Sequence, residues 1–143
     1  MCSCSRRRIL ATAGVAMAAL VCLPAHAPAL GDLERHFVAE ALRMKNEALA
    51  AGDQPFGAVV VKADTIVGYG PSRVITDRNP DAHAERVALW DAQRRLARKD
   101  LAEAVLYSTS RPCFVCERAL AAANVSRMRF GPDAADAGKP KAG

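Results

Sequence analysis

The chain has 143 residues, 51% of them hydrophobic and 5% aromatic, and a formal net charge of +5. That length fits one domain with a modest core, large enough to fold without disulfide staples. Three of the 20 basic residues, Arg6, Arg7 and Arg8, lie before residue 30, which leaves 17 against 15 acidic side chains. A balance of +2 beyond that point argues against the basic stripe of a nucleic-acid binder.

The first 29 residues read as an export signal. Arg6-Arg7-Arg8 is followed by an apolar stretch, Ile9 to Leu23, too short for a membrane span. Ala27-Pro28-Ala29 supplies small residues for cleavage, and a cut after Ala29 keeps Pro28 off the scissile bond. Ser5-Arg6-Arg7-Arg8-Ile9-Leu10 also resembles the twin-arginine pattern. That resemblance implies a bacterial protein exported folded to the periplasm, with no stable membrane association once the signal is gone. Cys2, Cys4 and Cys22 leave with the signal, so residues 30–143 keep only Cys113, Cys116, His36 and His83 as soft metal donors.

Asp32 is the expected N-cap of a first helix, in which Leu33, Phe37, Val38, Ala41, Leu42, Ala48 and Leu49 recur at helical spacing and Gly52 ends the run. His36 sits among charged residues on that helix and reads as a surface side chain. Gly57 to Lys62 is a valine-rich buried strand, and Ile66 to Gly70 its antiparallel partner after a turn. A polar loop, 71–80, leads to a helix capped by Asp81 and running to Lys99, with Val87, Ala88, Trp90 and Leu96 on its core side. A strand over 104–109, a helix from Cys113 to Ala123 and a strand over 125–130 follow. Tyr107 reads as core, and residues 131–143 as a frayed tail. Strands separated by helices favour parallel pairing, so the expected fold is α/β, a three-layer α/β/α arrangement around a mixed sheet.

His83-Ala84-Glu85 and Pro112-Cys113-x-x-Cys116 each open a predicted helix. A helix N-terminus carries partial positive charge, which is expected to lower a cysteine pKa and favour the thiolate. Cys113 and Cys116 are three apart, so both face the same way on one turn. With His83 they make three protein ligands for one Zn2+, leaving a fourth position for water, as in catalytic zinc sites. Glu85 stands two residues beyond the histidine, placed to carry protons without occupying the metal. The pairing of His-x-Glu with Pro-Cys-x-x-Cys is the signature of zinc deaminases.

On these motifs, together with Pro55-Phe56-Gly57-Ala58-Val59-Val60-Val61, Asn79-Pro80-Asp81-Ala82 and Leu106-Tyr107, the chain resembles the cytidine and deoxycytidylate deaminase superfamily over residues 33–138. Within it, the bacterial guanine deaminase and transfer-RNA adenosine deaminase branch is the nearer likeness. The resemblance implies a five-stranded sheet, one zinc per subunit, a homodimer, and Glu85 as the catalytic proton carrier. Substrate contacts are expected from Phe56, Ala58, Ser72, Ala84 and Phe114, with Phe56 reading equally as core and Phe114 equally as a cover over the site. Ser72 stands where relatives usually carry Asn, and Arg111 where they usually carry Glu. Both departures bear on substrate more than on chemistry.

The expected function is hydrolytic deamination of a small nucleobase or nucleoside, with a guanine-like purine favoured and no nucleic acid as partner. The alternatives are a deaminase of a cytosine- or adenosine-type substrate, a catalytically silent zinc-binding relative, and a thiol redox protein built on Cys113 and Cys116.

Overall fold

In the first strand, alternate side chains go to opposite cores, and this decides the layering. The computed structural model describes residues 29–143; apart from Ala29, the export segment read from the sequence lies outside them. Strand β1 (Gly57–Lys62) is buried along almost its whole length. Ala58 and Val60 join one apolar cluster, while Val59 and Val61 join another on the far face, as the two-residue period of a strand requires.

Helix α1 (Asp32–Ala50) covers the second face with Phe37, Ala41, Met44 and Ala48, spaced four, three and four apart as one helical stripe. The stripe is rotated from the one expected. Leu33, Leu42 and Leu49 are each about half exposed, and Met44 is buried at 2%. Asp32 is the first helical residue rather than the cap; Gly31 occupies the cap without a side-chain bond, and Asp32 pairs with Arg35 instead. His36 is exposed, as expected.

Strand β2 (Thr65–Pro71) pairs antiparallel with β1. Helix α2 (Ala84–Arg95) then crosses the first face. It approaches β2 so closely that a Cβ on Gly70 would stand 2.1 Å from the Ala84 carbonyl oxygen. Only glycine fits there, and the close approach lays the start of α2 against the sheet. The cap of α2 is His83 rather than Asp81, and the helix ends four residues earlier than expected. Asp81 instead pairs with Arg86 at 2.6 Å. Trp90 is not core: it is 39% exposed, with the Arg86 guanidinium 5.3 Å from its ring centre.

Strand β3 (Val105–Ser108) buries Tyr107 on the α1 side, where its ring lies 5.3 Å from that of Phe37. Helix α3 (Phe114–Ala122) and strand β4 (Arg127–Phe130) follow. The tail is not frayed. Ala135–Gly138 forms β5, antiparallel to β4, and Ala134 anchors it in the α1-side core at 3% exposure. Its Ala-Asp-Ala-Gly sequence has no apolar alternation to announce a strand; the unpaired edge of β4 recruits it.

The sheet order is β2-β1-β3-β4-β5. Strands β3 and β4 are parallel, as the intervening helix suggests. β1 and β3 are antiparallel although α2 separates them, because the β1–β2 hairpin has already reversed the chain. With α1 on one face and α2 and α3 on the other, the fold is the expected three-layer α/β/α arrangement.

Candidate active site

The loop between β2 and α2 delivers His83, and the loop between β3 and α3 leads to Cys113 at the cap of α3 and Cys116 in its first turn. Each loop is tied down locally. The Arg73 amide donates to the Ala82 carbonyl at 3.0 Å, closing the 73–82 loop one residue before the histidine. Thr109 holds the other loop against β1: its amide donates to Gly57 O at 2.9 Å, and its hydroxyl accepts from the Gly57 amide at 3.1 Å.

The two loops bring His83, Cys113 and Cys116 together, with one ligand atom from each lying within 4.8 Å of the others. His83 Nδ1 is 3.6 Å from the Cys113 sulfur and 3.5 Å from that of Cys116. Tetrahedral zinc with ordinary Zn–S and Zn–N bonds separates sulfur from nitrogen by about 3.6 Å. The donor set therefore fits zinc in both chemistry and spacing, with three protein ligands and a fourth direction left open. Both cysteines are free. Cys113 caps α3 and is exposed, whereas Cys116 is fully buried one turn on.

Burial raises the Cys116 thiol pKa far above its ordinary value, and the neighbouring Glu85 carboxylate adds to the rise. Here desolvation outweighs the helix-terminus effect expected from the sequence. A thiolate at Cys116 needs a cation beside it, which a bound zinc supplies.

Glu85 is 5% exposed in the first turn of α2, and Oε2 accepts from the Cys116 thiol at 3.7 Å. Burial pushes its carboxyl pKa up, opposed by its own backbone amide and by His83. It lies outside the trio of mutually close ligand atoms, so its position suits proton transfer better than coordination.

The residues read as substrate contacts separate into two groups. Phe56 is 40% and Phe114 61% exposed; Phe114 directly follows Cys113, and Phe56 precedes Gly57, whose amide donates to Thr109. Ala58 and Ala84 are 0% and 1% exposed and share a core cluster. Ser72 is 2% exposed, and its hydroxyl donates to Asp53 Oδ1 at 2.9 Å instead of facing the site. Arg111 lies with its guanidinium 5.8 Å from the centre of the Phe130 ring. Asp53 and Thr109 escaped the sequence reading, since nothing in their spacing links them to the loops they hold.

A cavity of about 80 Å³ adjoins the ligands, lined by Pro80, Asp81, His83, Arg86, Val115 and Cys116. A larger open groove of about 700 Å³ runs over β2 between α1 and α2 and includes none of His83, Cys113 and Cys116.

A family model described as the cytidine and deoxycytidylate deaminase zinc-binding region matches residues 32–132. A tRNA-specific adenosine deaminase of Aquifex aeolicus is 35% identical over 97 residues, which is 68% of this chain and 64% of the relative. The chain thus spans just under two thirds of that protein's length. A guanine deaminase of Bacillus subtilis is 35% identical over 106 residues, covering 71% of this chain and 68% of the relative. The X-ray structure of guanine deaminase from Bacillus subtilis superposes with a TM-score of 0.64 at 33% identity, over 67% of this chain and 62% of that one. With its His/Cys/Cys trio, its five-stranded mixed sheet and these relatives, the chain belongs to the cytidine and deoxycytidylate deaminase family, on the guanine deaminase and tRNA adenosine deaminase branch.

Proposed function

We propose that this protein is a zinc-dependent hydrolase that deaminates a small nucleobase or nucleoside, a guanine-like purine first. The observation that carries the reading is a buried Glu85 beside three residues spaced for zinc, in the family's order. Zinc, when bound, supplies a Lewis acid that makes water acidic enough to attack near neutral pH.

Water adds to the amine-bearing carbon of the ring, the C–N bond breaks, and ammonia leaves. Glu85 takes a proton from the attacking water and passes it to the ring nitrogen, then takes the hydroxyl proton of the tetrahedral adduct and passes it to the amine as the C–N bond breaks and the carbonyl forms. Its burial excludes competing solvent from the carboxyl. Phe114 and Phe56 offer exposed rings on which a planar base stacks.

A purine is favoured because guanine and adenosine deaminases are among the relatives. A free base or nucleoside is favoured over tRNA because the charge balance beyond residue 29 is low and the first 29 residues read as a periplasmic export signal. A homodimer is part of the proposal: the cavity at the ligands, about 80 Å³, is well below the roughly 300 Å³ of ordinary ligand pockets, and a second copy would supply the missing wall.

The test is ammonia release by zinc-loaded protein beginning at Leu30, against guanine, adenine, cytosine and their nucleosides, with Glu85→Ala alongside. Release from one substrate, lost in the variant, supports the proposal and names the substrate. Zinc binding with no release from any of them favours the catalytically silent alternative.

A further inference from the structure

Asp53 sits between α1 and β1, 6% exposed, and belongs to no catalytic motif. Its carboxylate nevertheless accepts five hydrogen bonds, more than any other side chain among the described residues. Oδ1 accepts from the Gln54 amide at 2.7 Å and the Ser72 hydroxyl at 2.9 Å. Oδ2 accepts from the Ile75 amide at 3.0 Å, the Thr76 amide at 2.8 Å and the Thr76 hydroxyl at 2.9 Å. Among the described residues no cation pairs with it, and Arg73, which follows Ser72 in the chain, is 3.9 Å from Asp77 instead. Neutral dipoles alone hold this charge, and bonds to an ionised acceptor are stronger than neutral ones.

We infer that Asp53 is a positioning residue for the metal site, acting through Ser72 and the 73–82 loop on His83. This rests on the zinc reading above. The relay is continuous. Asp53 grips Ile75 and Thr76 in the first turn of the loop, which continues through Asp77 N to Arg73 O at 3.0 Å and Asn79 N to Val74 O at 3.1 Å. Ala82 N then donates to Asn79 O at 3.0 Å, and Ala82 O accepts from Arg73 N at 3.0 Å, which sets the backbone immediately before His83. On the other side, Ser72 N donates to Phe56 O at 3.1 Å, and Phe56 N to Gln54 O at 2.8 Å. One carboxylate therefore ties down the backbone that leads to His83 on one side and that of Phe56 on the other. In this arrangement Ser72 is part of the clamp and not a contact to the base.

A purely structural clamp would lower stability and leave metal exchange alone. The discriminating measurement is zinc transfer from the zinc-loaded protein to excess colorimetric chelator, well below the melting temperature, with KM and kcat measured in parallel. Asp53→Asn is expected to lose zinc about tenfold faster or more, and Ser72→Ala faster in the same direction by less. Asp100→Asn serves as control: it removes a carboxylate that accepts from the Ala102 amide at 2.8 Å, close to the Lys62 end of β1 and away from the site, and is expected to leave zinc transfer unchanged. If Asp53→Asn does not fold, Thr76→Val removes one bond to the same carboxylate and carries the same readout. Wild-type transfer rates in Asp53→Asn, or in Thr76→Val and Ser72→Ala together, would overturn the inference. So would a raised KM in Ser72→Ala with unchanged zinc transfer, which would return Ser72 to the substrate. A wild-type protein that holds zinc but deaminates nothing leaves this inference standing and fails the proposed function; one that holds no zinc sinks both.

Discussion

The Cys116 thiol donates to Glu85 Oε2 at 3.7 Å, so a proposed metal ligand and the proposed proton carrier are hydrogen-bonded across two helices. Glu85→Gln keeps the size of the side chain and removes its basicity. Ammonia release is expected to fall by about 10²–10⁴-fold, while zinc content, measured by atomic absorption, stays at one per chain. Loss of the zinc together with the activity would instead make Glu85 a ligand.

His83→Ala and Cys113→Ser each remove one of three ligands. Both are expected to lose zinc and activity together. A site filled at a thousand times its dissociation constant stabilises the fold by about 4 kcal/mol, so chelation of the wild type should lower Tm, and chelation of either variant should not. Thiol titration after chelation is expected to find two free thiols and no disulfide among residues 30–143. A disulfide between Cys113 and Cys116 in native material would favour the redox reading.

Gly70 admits the start of α2 where a Cβ would meet the Ala84 carbonyl oxygen at 2.1 Å and the Ala88 amide at 2.4 Å. Gly70→Ala must push the helix off the sheet, at a cost of about 1–3 kcal/mol. The expected Tm drop is roughly 5–10 °C, with zinc bound more weakly because His83 caps the displaced helix. An unchanged Tm would mean that the two elements separate more easily than this packing implies.

Burial pushes the Asp53 carboxyl pKa up, but hydrogen bonds from Thr76, Gln54 and Ser72 outweigh it and hold the group well below the usual carboxylate range. The unfolded chain titrates at about 3.9. A folded pKa below that value stabilises the protein above about pH 4, and this contribution is lost as pH falls through the folded value. Urea unfolding from pH 6 to pH 2 should therefore show an acid-side loss of stability that is smaller in Asp53→Asn. Parallel curves would remove Asp53 from the acid response.

Phe114 is 61% exposed, so Phe114→Ala should change Tm little. If the ring stacks on the base, the loss is about 1–3 kcal/mol of binding, seen as a higher KM with kcat less affected. An unchanged KM would leave the ring as a cover for Cys113 alone.

Much of this was readable in the chain itself. Valine-rich β1, the helical stripe through Phe37, Ala41 and Ala48, and the two metal-binding motifs are local patterns, and local patterns survive in sequence. Spacing of three put Cys113 and Cys116 on one turn, and a helix start put Glu85 beside His83. Other features depend on what folds against what. Strand β5 has no apolar alternation and exists because β4 offers an edge. Trp90 faces outward because α2 is rotated to lay Ala84, Ala88 and Ala92 against the sheet, where small side chains permit close approach. The Cys116 thiol is raised because tertiary packing buries it beside Glu85, 31 positions away in the chain. Asp53 and Ser72 are 19 residues apart and share no motif. A sequence determines which side chains are available and their order along each element. Which distant loop a buried carboxylate holds is decided only when the layers close, because a hydrogen bond to a charge depends on position and desolvation, and neither exists before the chain folds.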